Sequence, residues 1–320
     1  MSLLKKILKG ERAAIAKAIT LVESSILKDQ KESKQLISEL ILNPGHSVRI
    51  GFSGSPGVGK STFIESFGSY LVSKGYKLGI LAIDPSSQLT GGSILGDKTR
   101  MNEISKNENT FIRSTPSRGS LGGVSIGTRE AAIILDSAGY DYIFIETVGV
   151  GQSETMAANL VDIFSLIVGP GSGDELQGIK KGITEYADIF IVNKADGDLK
   201  IQASKTASDY QSSLNYLSKS KDSIEKKVLL VSSIEQTGMN NVTNTIEEII
   251  SSNRKTGLFE KRRSNQLAYW IKEEVKNHIH QKVDIGIGKN GELEQMISKV
   301  LSGEDTLYNS IDQVLKKILK

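Results

Sequence analysis

The spacing of apolar residues divides the chain into three regimes. Near the start, Leu4, Ile7, Leu8, Ile15, Ile19 and Val22 recur at three and four spacing, which predicts helices up to Leu42, ended by Asn43-Pro44-Gly45. From Ser47 onward, short apolar runs at 48–52, 78–83, 142–145, 163–168, 189–192 and 228–231 alternate with longer mixed segments. Runs of this kind suit strands buried on both faces of a parallel sheet. The stretches between them, such as 61–73, 128–137 and 200–217, are long enough for crossover helices. After Ser252 the strand pattern stops, and Leu267, Ile271, Val275 and Ile279 recur every four residues, as do Leu307, Ile311 and Leu315.

The expected fold class is therefore α/β: a doubly wound, mostly parallel sheet with helices before and after it. The expected boundaries are 1–44 for an N-terminal helical region, 45–255 for the α/β domain and 256–320 for a helical extension. The extension, with Trp270 on or near the stripe of Leu267 and Ile271, either packs on the core or forms an oligomer interface.

Composition narrows the function classes. There is no cysteine in 320 residues, which excludes disulfides, thiolate metal ligands and a cysteine nucleophile and fits a reducing cytoplasm. Forty basic and 37 acidic residues are spread along the chain to a net charge of +3, without the basic stripe that nucleic-acid binding requires. No run approaches the roughly 20 apolar residues of a membrane span, so no membrane partner is expected. The basic, amphipathic opening could be read as a mitochondrial presequence, but Glu11 and Glu23 and the helical spacing favour a folded helix.

The strongest chemical motif is Gly54-Ser55-Pro56-Gly57-Val58-Gly59-Lys60-Ser61, which satisfies G-x-x-x-x-G-K-[ST] between a predicted strand and a predicted helix. Its glycines let backbone N–H groups turn inward onto phosphate oxygens, and the following helix adds its positive end. Lys60 would bridge the β- and γ-phosphates and Ser61 would ligate Mg²⁺, with Thr62 beside it in the nucleotide-binding stretch.

A second motif selects the base. Asn193-Lys194-Ala195-Asp196 follows the run 189–192, at the strand ends that line a ligand crevice. N-K-x-D is similar to the guanine-specificity motif of G proteins, whose carboxylate accepts from the guanine N1 and N2 donors; adenine would leave it unpaired. Ser232 and Ser233 close the next run, where G proteins carry a base-backing serine-alanine loop, with Ser233 in place of alanine. Asp84 and Glu146 end two further runs and are candidate Mg²⁺ carboxylates, the alternative for Asp84 being a turn-former before Pro85. Gly149 could present an N–H to the γ-phosphate.

Longer segments carry a family resemblance. Ile83-Asp84-Pro85-Ser86-Ser87, TGGSILGDKTRM at 90–101, SRGSLGG at 117–123, ETVGVGQSE at 146–154 and GDELQGIKKGI at 173–183 resemble the MeaB/ArgK GTPases, as does ILKGERAAIAKAITLVES near the start. The likeness runs in register from about Ile7 to Ser252 and more loosely into the tail. It implies a SIMIBI-class P-loop GTPase, usually a homodimer, that gates adenosylcobalamin loading, protection and reactivation of an acyl-CoA mutase, with no cobalamin bound by the chain itself.

By position, the resemblance adds Asp97 to Asp84 and Glu146 around Mg²⁺. It assigns Gln177 and Lys180 to a switch that orders against the nucleotide when the mutase binds. Lys180 could then bring positive charge to the transition state, as an arginine finger does; without the resemblance, Lys180 and Lys181 read as a solvated pair. Asp97, Glu146 and Gln177 are the candidates to orient the attacking water, and the sequence does not rank them.

Three other readings are distinguishable. A nickel-inserting GTPase would need a histidine or cysteine cluster, whereas His46, His278 and His280 are scattered or two apart on a helix. A transport-linked ATPase or kinase would prefer ATP, against the N-K-x-D motif. A scaffold that never turns nucleotide over would not need Lys60, Ser61 and the acidic set.

Overall fold

A computed structural model describes the chain apart from residues 25, 85–100, 102, 117–125, 148–152, 173–180, 218–225, 288–291 and 319–320. It divides into two compact units, Met1–Phe259 and Glu260–Lys320.

The first unit is built on seven strands: β1 (Val48–Ser53), β2 (Leu78–Asp84), β3 (Thr110–Pro116), β4 (Tyr142–Glu146), β5 (Ile163–Val168), β6 (Ile189–Val192) and β7 (Lys227–Leu230). Their order is β3-β2-β4-β1-β5-β6-β7, and every pairing is parallel. Strands β2 to β4 lie to one side of β1 and β5 to β7 to the other. The winding therefore reverses at β1, and the crevice at its carboxyl end is where an open α/β sheet binds its ligand.

All residues of β4, β5 and β6 are buried, as the unbroken apolar runs require of strands covered on both faces. The helix α4 (Lys60–Ser73) is fixed to the central strands by an aromatic chain (α1 to α3 are described below). Phe67 stacks on Phe144 with ring centroids 5.6 Å apart, and Phe52 meets Phe144 at 4.9 Å and Phe63 at 5.5 Å, both edge-on. Such pairs contribute about 0.5–1.5 kcal/mol each beyond their buried area. They hold the start of α4 against the end of β1, across the loop that joins them.

Strand β3 does not show in the apolar pattern. Its sequence, TFIRSTP, has only Phe111 and Ile112 adjacent, because an edge strand pairs on one side and needs less apolar surface. Three helices precede the sheet: α1 (Leu3–Leu8), α2 (Arg12–Val22) and α3 (Leu27–Ile41). The opening is thus two helices rather than one, broken where Gly10 takes a φ of 74°. Helices α2 and α3 pack on α5 (Ile126–Ser137) and bury Ile15, Ile19, Leu36 and Leu40. Helix α2 also guards the sheet edge. Arg12 donates to the Thr110 carbonyl and lies 5.5 Å from the Phe111 ring centroid, while Arg113 of β3 pairs with Glu23.

At the opposite end of the sheet from the ligand crevice, three strands start with the same device. Asp141, Asp162 and Asp188 each stand immediately before a strand, β4, β5 and β6. The Asp141 N–H donates to Lys77 O at 2.9 Å, and its carboxylate accepts from Lys77 N at 2.7 Å. Asp162 forms the same ring with Arg49 at 2.8 and 2.9 Å, and Asp188 with Phe164 at 2.8 and 2.8 Å. Each carboxylate extends the ladder past the last backbone pair and satisfies an amide that would otherwise face its neighbour without an acceptor. Asp136 of α5 acts similarly on the chain entering β1, accepting from Ser47 N at 2.9 Å, Ser47 Oγ at 2.6 Å and Gly45 N at 3.2 Å.

The second unit is helical. It contains most of the helix Leu258–Ile287, followed by Glu292–Ser302 and Leu307–Ile318. The stripe expected there divides: Trp270 is 5% exposed and meets Tyr269 edge-on, whereas Leu267, Ile271, Val275 and Ile279 are exposed.

Asp162→Ala removes the acceptor from the Arg49 amide at the centre of the sheet. Urea denaturation should show a loss of about 1–3 kcal/mol, and an unchanged midpoint would mean the ring contributes nothing.

Candidate functional site

Strand β1 ends at Ser53, and the chain then turns back through Gly54 to Gly59 into α4. The turn is possible only because it lacks side chains at its tightest points. A Cβ on Gly54 would lie 2.2 Å from the Ile167 carbonyl oxygen of β5, and one on Gly59 would lie 2.7 Å from Asn193 Nδ2. Gly59, at φ 90°, is in addition the left-handed N-cap of α4. Lys60 folds back over the loop and donates from Nζ to Gly54 O at 2.8 Å and Ser55 O at 3.3 Å. Its ammonium is thereby held above a ring of backbone that starts a 14-residue helix, the arrangement that accommodates phosphate.

Ser61, one residue into α4, donates from Oγ to Glu146 Oε1 at 2.9 Å. Glu146 closes β4, is 4% exposed, and stands beside Phe52 of β1 in register. Thr147 follows and donates through both N (3.1 Å) and Oγ1 (3.3 Å) to Phe52 O, pinning the start of the next loop to β1. On the other side of β4, Glu146 is in register with Ala82 of β2, and Asp84 ends β2 two residues further on. A hydroxyl and a buried carboxylate in contact are hard oxygen donors of the kind Mg²⁺ takes; the side chain of Asp84 lies outside the described residues. Asp97, Gly149, Gln177 and Lys180 lie outside the described residues.

The loops after β6 and β7 form the other half of the site. Asn193 is buried and carries bonds in three directions. Its Nδ2 donates to Val58 O at 3.1 Å and Gly59 O at 3.4 Å, and its Oδ1 accepts from Ser233 Oγ at 2.7 Å and Ser233 N at 3.3 Å. Lys194, at φ 61°, reaches back to donate to Gly57 O at 2.6 Å. The Ala195 N–H donates to Val231 O at 3.0 Å, and the Ser232 hydroxyl donates to Asp196 Oδ2 while accepting from Glu235 N at 3.0 Å.

The structure therefore gathers Lys60, Ser61, Glu146, Asn193, Lys194, Asp196, Ser232 and Ser233 around one loop. Two features go beyond the motif reading. Ser233 is more than a tolerated replacement for alanine, since its hydroxyl orients the Asn193 amide. Thr147 lies outside the phosphate-loop and N-K-x-D motifs, and the hint of it in the sequence is its place after Glu146.

No helix among the described residues is long and apolar enough to cross a membrane. Among the same residues, no group of three or more His, Asp or Glu is disposed to hold a metal by side chains alone.

The family model described as methylmalonyl Co-A mutase-associated GTPase MeaB matches residues 15–287. The chain is 42% identical over 285 residues to the GTPase ArgK of Escherichia coli (strain K12), covering 88% of this chain and 86% of that protein. It is 39% identical over 320 residues to the mitochondrial methylmalonic aciduria type A homolog of Mus musculus, covering 97% and 77% respectively. A solved structure described as LAO/AO transport system kinase superposes with a TM-score of 0.76 at 30% identity, over 99% of this chain and 97% of that one. The phosphate loop, the guanine-type motif beside it and these matches together place the chain in the MeaB/ArgK family of P-loop GTPases, enzymes that bind guanine nucleotide and hydrolyse GTP.

Proposed function

We propose that this GTPase acts as a G-protein chaperone of an adenosylcobalamin-dependent acyl-CoA mutase, coupling GTP hydrolysis to cofactor loading, protection and reactivation. The reading is supported by the family description, which names an association with methylmalonyl-CoA mutase, and by the methylmalonic aciduria relatives. The observation that carries its nucleotide half is the lacing of Asn193, Lys194 and Ser233 to the phosphate loop, so that base and phosphate contacts share one hydrogen-bonded unit; the mutase half rests on the family description.

In this reading, the backbone N–H groups of the loop from Gly54 to Ser61, Pro56 excepted, and of Thr62 hold the phosphates. Lys60 gives up the Gly54 and Ser55 carbonyls for the β- and γ-phosphate oxygens. Ser61, Glu146, Asp84 and Asp97 would hold Mg²⁺, which neutralises phosphate charge when bound. Hydrolysis is in-line attack by water on the γ-phosphorus, with the bond to the β–γ bridging oxygen breaking and GDP leaving. Asp97, Glu146 or Gln177 orients the water, Gly149 donates to the γ-phosphate, and Lys180 meets the developing charge once the mutase binds. Asp196, oriented by Ser232, accepts from the guanine N1 and N2 donors.

The exposed stripe of Leu267, Ile271, Val275 and Ile279 supports a homodimer through the helical extension, because monomers rarely leave such a row in water.

Asp196→Asn should weaken GTP by about 10- to 100-fold and improve xanthosine triphosphate, since an amide pairs with the xanthine carbonyl; competition binding reads this, and retained GTP preference would remove Asp196 from base recognition. Ser61→Ala should raise the Mg²⁺ concentration needed for half-maximal hydrolysis by about tenfold or more, and an unshifted titration would remove Ser61 from the metal site. Adding an adenosylcobalamin-dependent mutase should accelerate GTP but not ATP hydrolysis, Lys180→Ala should lose the acceleration, and light scattering should find two copies of this chain in the complex. No response to methylmalonyl- or isobutyryl-type mutases would overturn the chaperone reading.

A further inference from the structure

The amino end of the sheet, opposite the phosphate loop, holds a recess of about 400 Å³ lined by Val48, Tyr142, Ile246, Glu247, Ile250, Ser251, Arg254 and Lys255. Val48 and Tyr142 are the first residues of β1 and β4; the others lie along the helix Met239–Thr256. The volume falls in the range of small-molecule sites.

The lining is divided by chemistry. Ile246 and Ile250 are buried in the core, and with Val48 and the Tyr142 ring they give an apolar wall. The polar groups around it are nearly all hydrogen-bond donors. Tyr142 OH, Ser251 Oγ and the Lys255 ammonium make no hydrogen bond to another described residue. Arg254 meets the Phe259 ring, 5.0 Å from its centroid, and has no carboxylate partner among the described residues. Among the described residues of the lining Glu247 is the one carboxylate, and it already accepts from Tyr76 OH at 3.5 Å.

Burial raises the Tyr142 phenol above its ordinary range, and Tyr76, Glu247 and Asp141 add to this, so it stays an O–H donor through neutral pH. Four donors, two of them cationic, thus converge beside an apolar wall. Their complement is an acceptor-rich anion attached to a short apolar body.

We propose that this recess is a second ligand site, which takes a small carboxylate bearing a short acyl chain or an aromatic ring, with its charge at Arg254 and Lys255 and its apolar part against Val48, Ile246 and Ile250. It is separate from the nucleotide site, and it stands or falls independently of the chaperone reading.

Calorimetric titration of the full chain with hexanoate tests it, with hexylammonium and hexanol as controls. Hexanoate should saturate one site per chain, hexanol should bind more weakly, and hexylammonium should not bind. The double variant Arg254→Gln/Lys255→Gln removes both cations; it should weaken hexanoate by about tenfold with GTP turnover unchanged and only a small fall in melting temperature, because Arg254 also covers the Phe259 ring and both cations stand in the last turn of their helix. Absence of saturable hexanoate binding, equal binding of hexylammonium, or full affinity in the double variant would each overturn the assignment.

Discussion

The site depends on how closely Gly59 approaches Asn193. With 2.7 Å between the position of a Cβ on Gly59 and Asn193 Nδ2, no other residue fits at 59 without displacing the amide. That amide donates to the Val58 and Gly59 carbonyls and accepts from Ser233, so one buried side chain joins the loops after β1, β6 and β7. A buried amide with its donors and acceptor all engaged is rigid, because each lost bond would leave a polar group in a dry environment. The loop that cradles phosphate and the loops beside the guanine-type motif are therefore held at a fixed distance before any ligand arrives. Such preorganisation lowers the ordering cost of binding.

Behind this junction, the sheet separates stability from chemistry. At the amino ends, Asp141, Asp162 and Asp188 close hydrogen-bonded rings with neighbouring strands and fix their register. At the carboxyl ends, Ser61, Glu146, Asn193 and Asp196 emerge from strands or loops whose positions that register has set. The aromatic chain from Phe52 through Phe144 to Phe67 links α4 to the same strands. Displacement of α4 would break these contacts as well as the Ser61–Glu146 bond, so the helix that begins at Lys60 is stiffly mounted.

Much of this was legible in the chain. Six of the seven strands appear as apolar runs: β4, β5 and β6 are buried throughout and admit few polar residues, and the edge strand β7 keeps Val228, Leu229 and Leu230 although it is only partly buried. The phosphate loop and N-K-A-D could be read because their chemistry needs particular residues at fixed short spacing, and longer segments such as ETVGVGQSE carried the family. Strand β3 was not legible, since an edge strand guarded by Arg12 and Glu23 lacks the apolar signature. The break at Gly10 was likewise hidden, because the apolar spacing continues across it.

The sequence by itself determined the fold class, the phosphate loop and the guanine-type motif, because each is encoded by residues close together in the chain. Only the tertiary structure decided that Ser233 supports Asn193, that Ser61 meets Glu146 across 85 positions, and that Ser232 holds Asp196. It also decided that Trp270 is buried while Leu267 and Ile271 are exposed. Hydrogen bonds between distant residues leave no periodic trace, since each depends on where strand register and helix packing bring two side chains, and no local pattern encodes that distance.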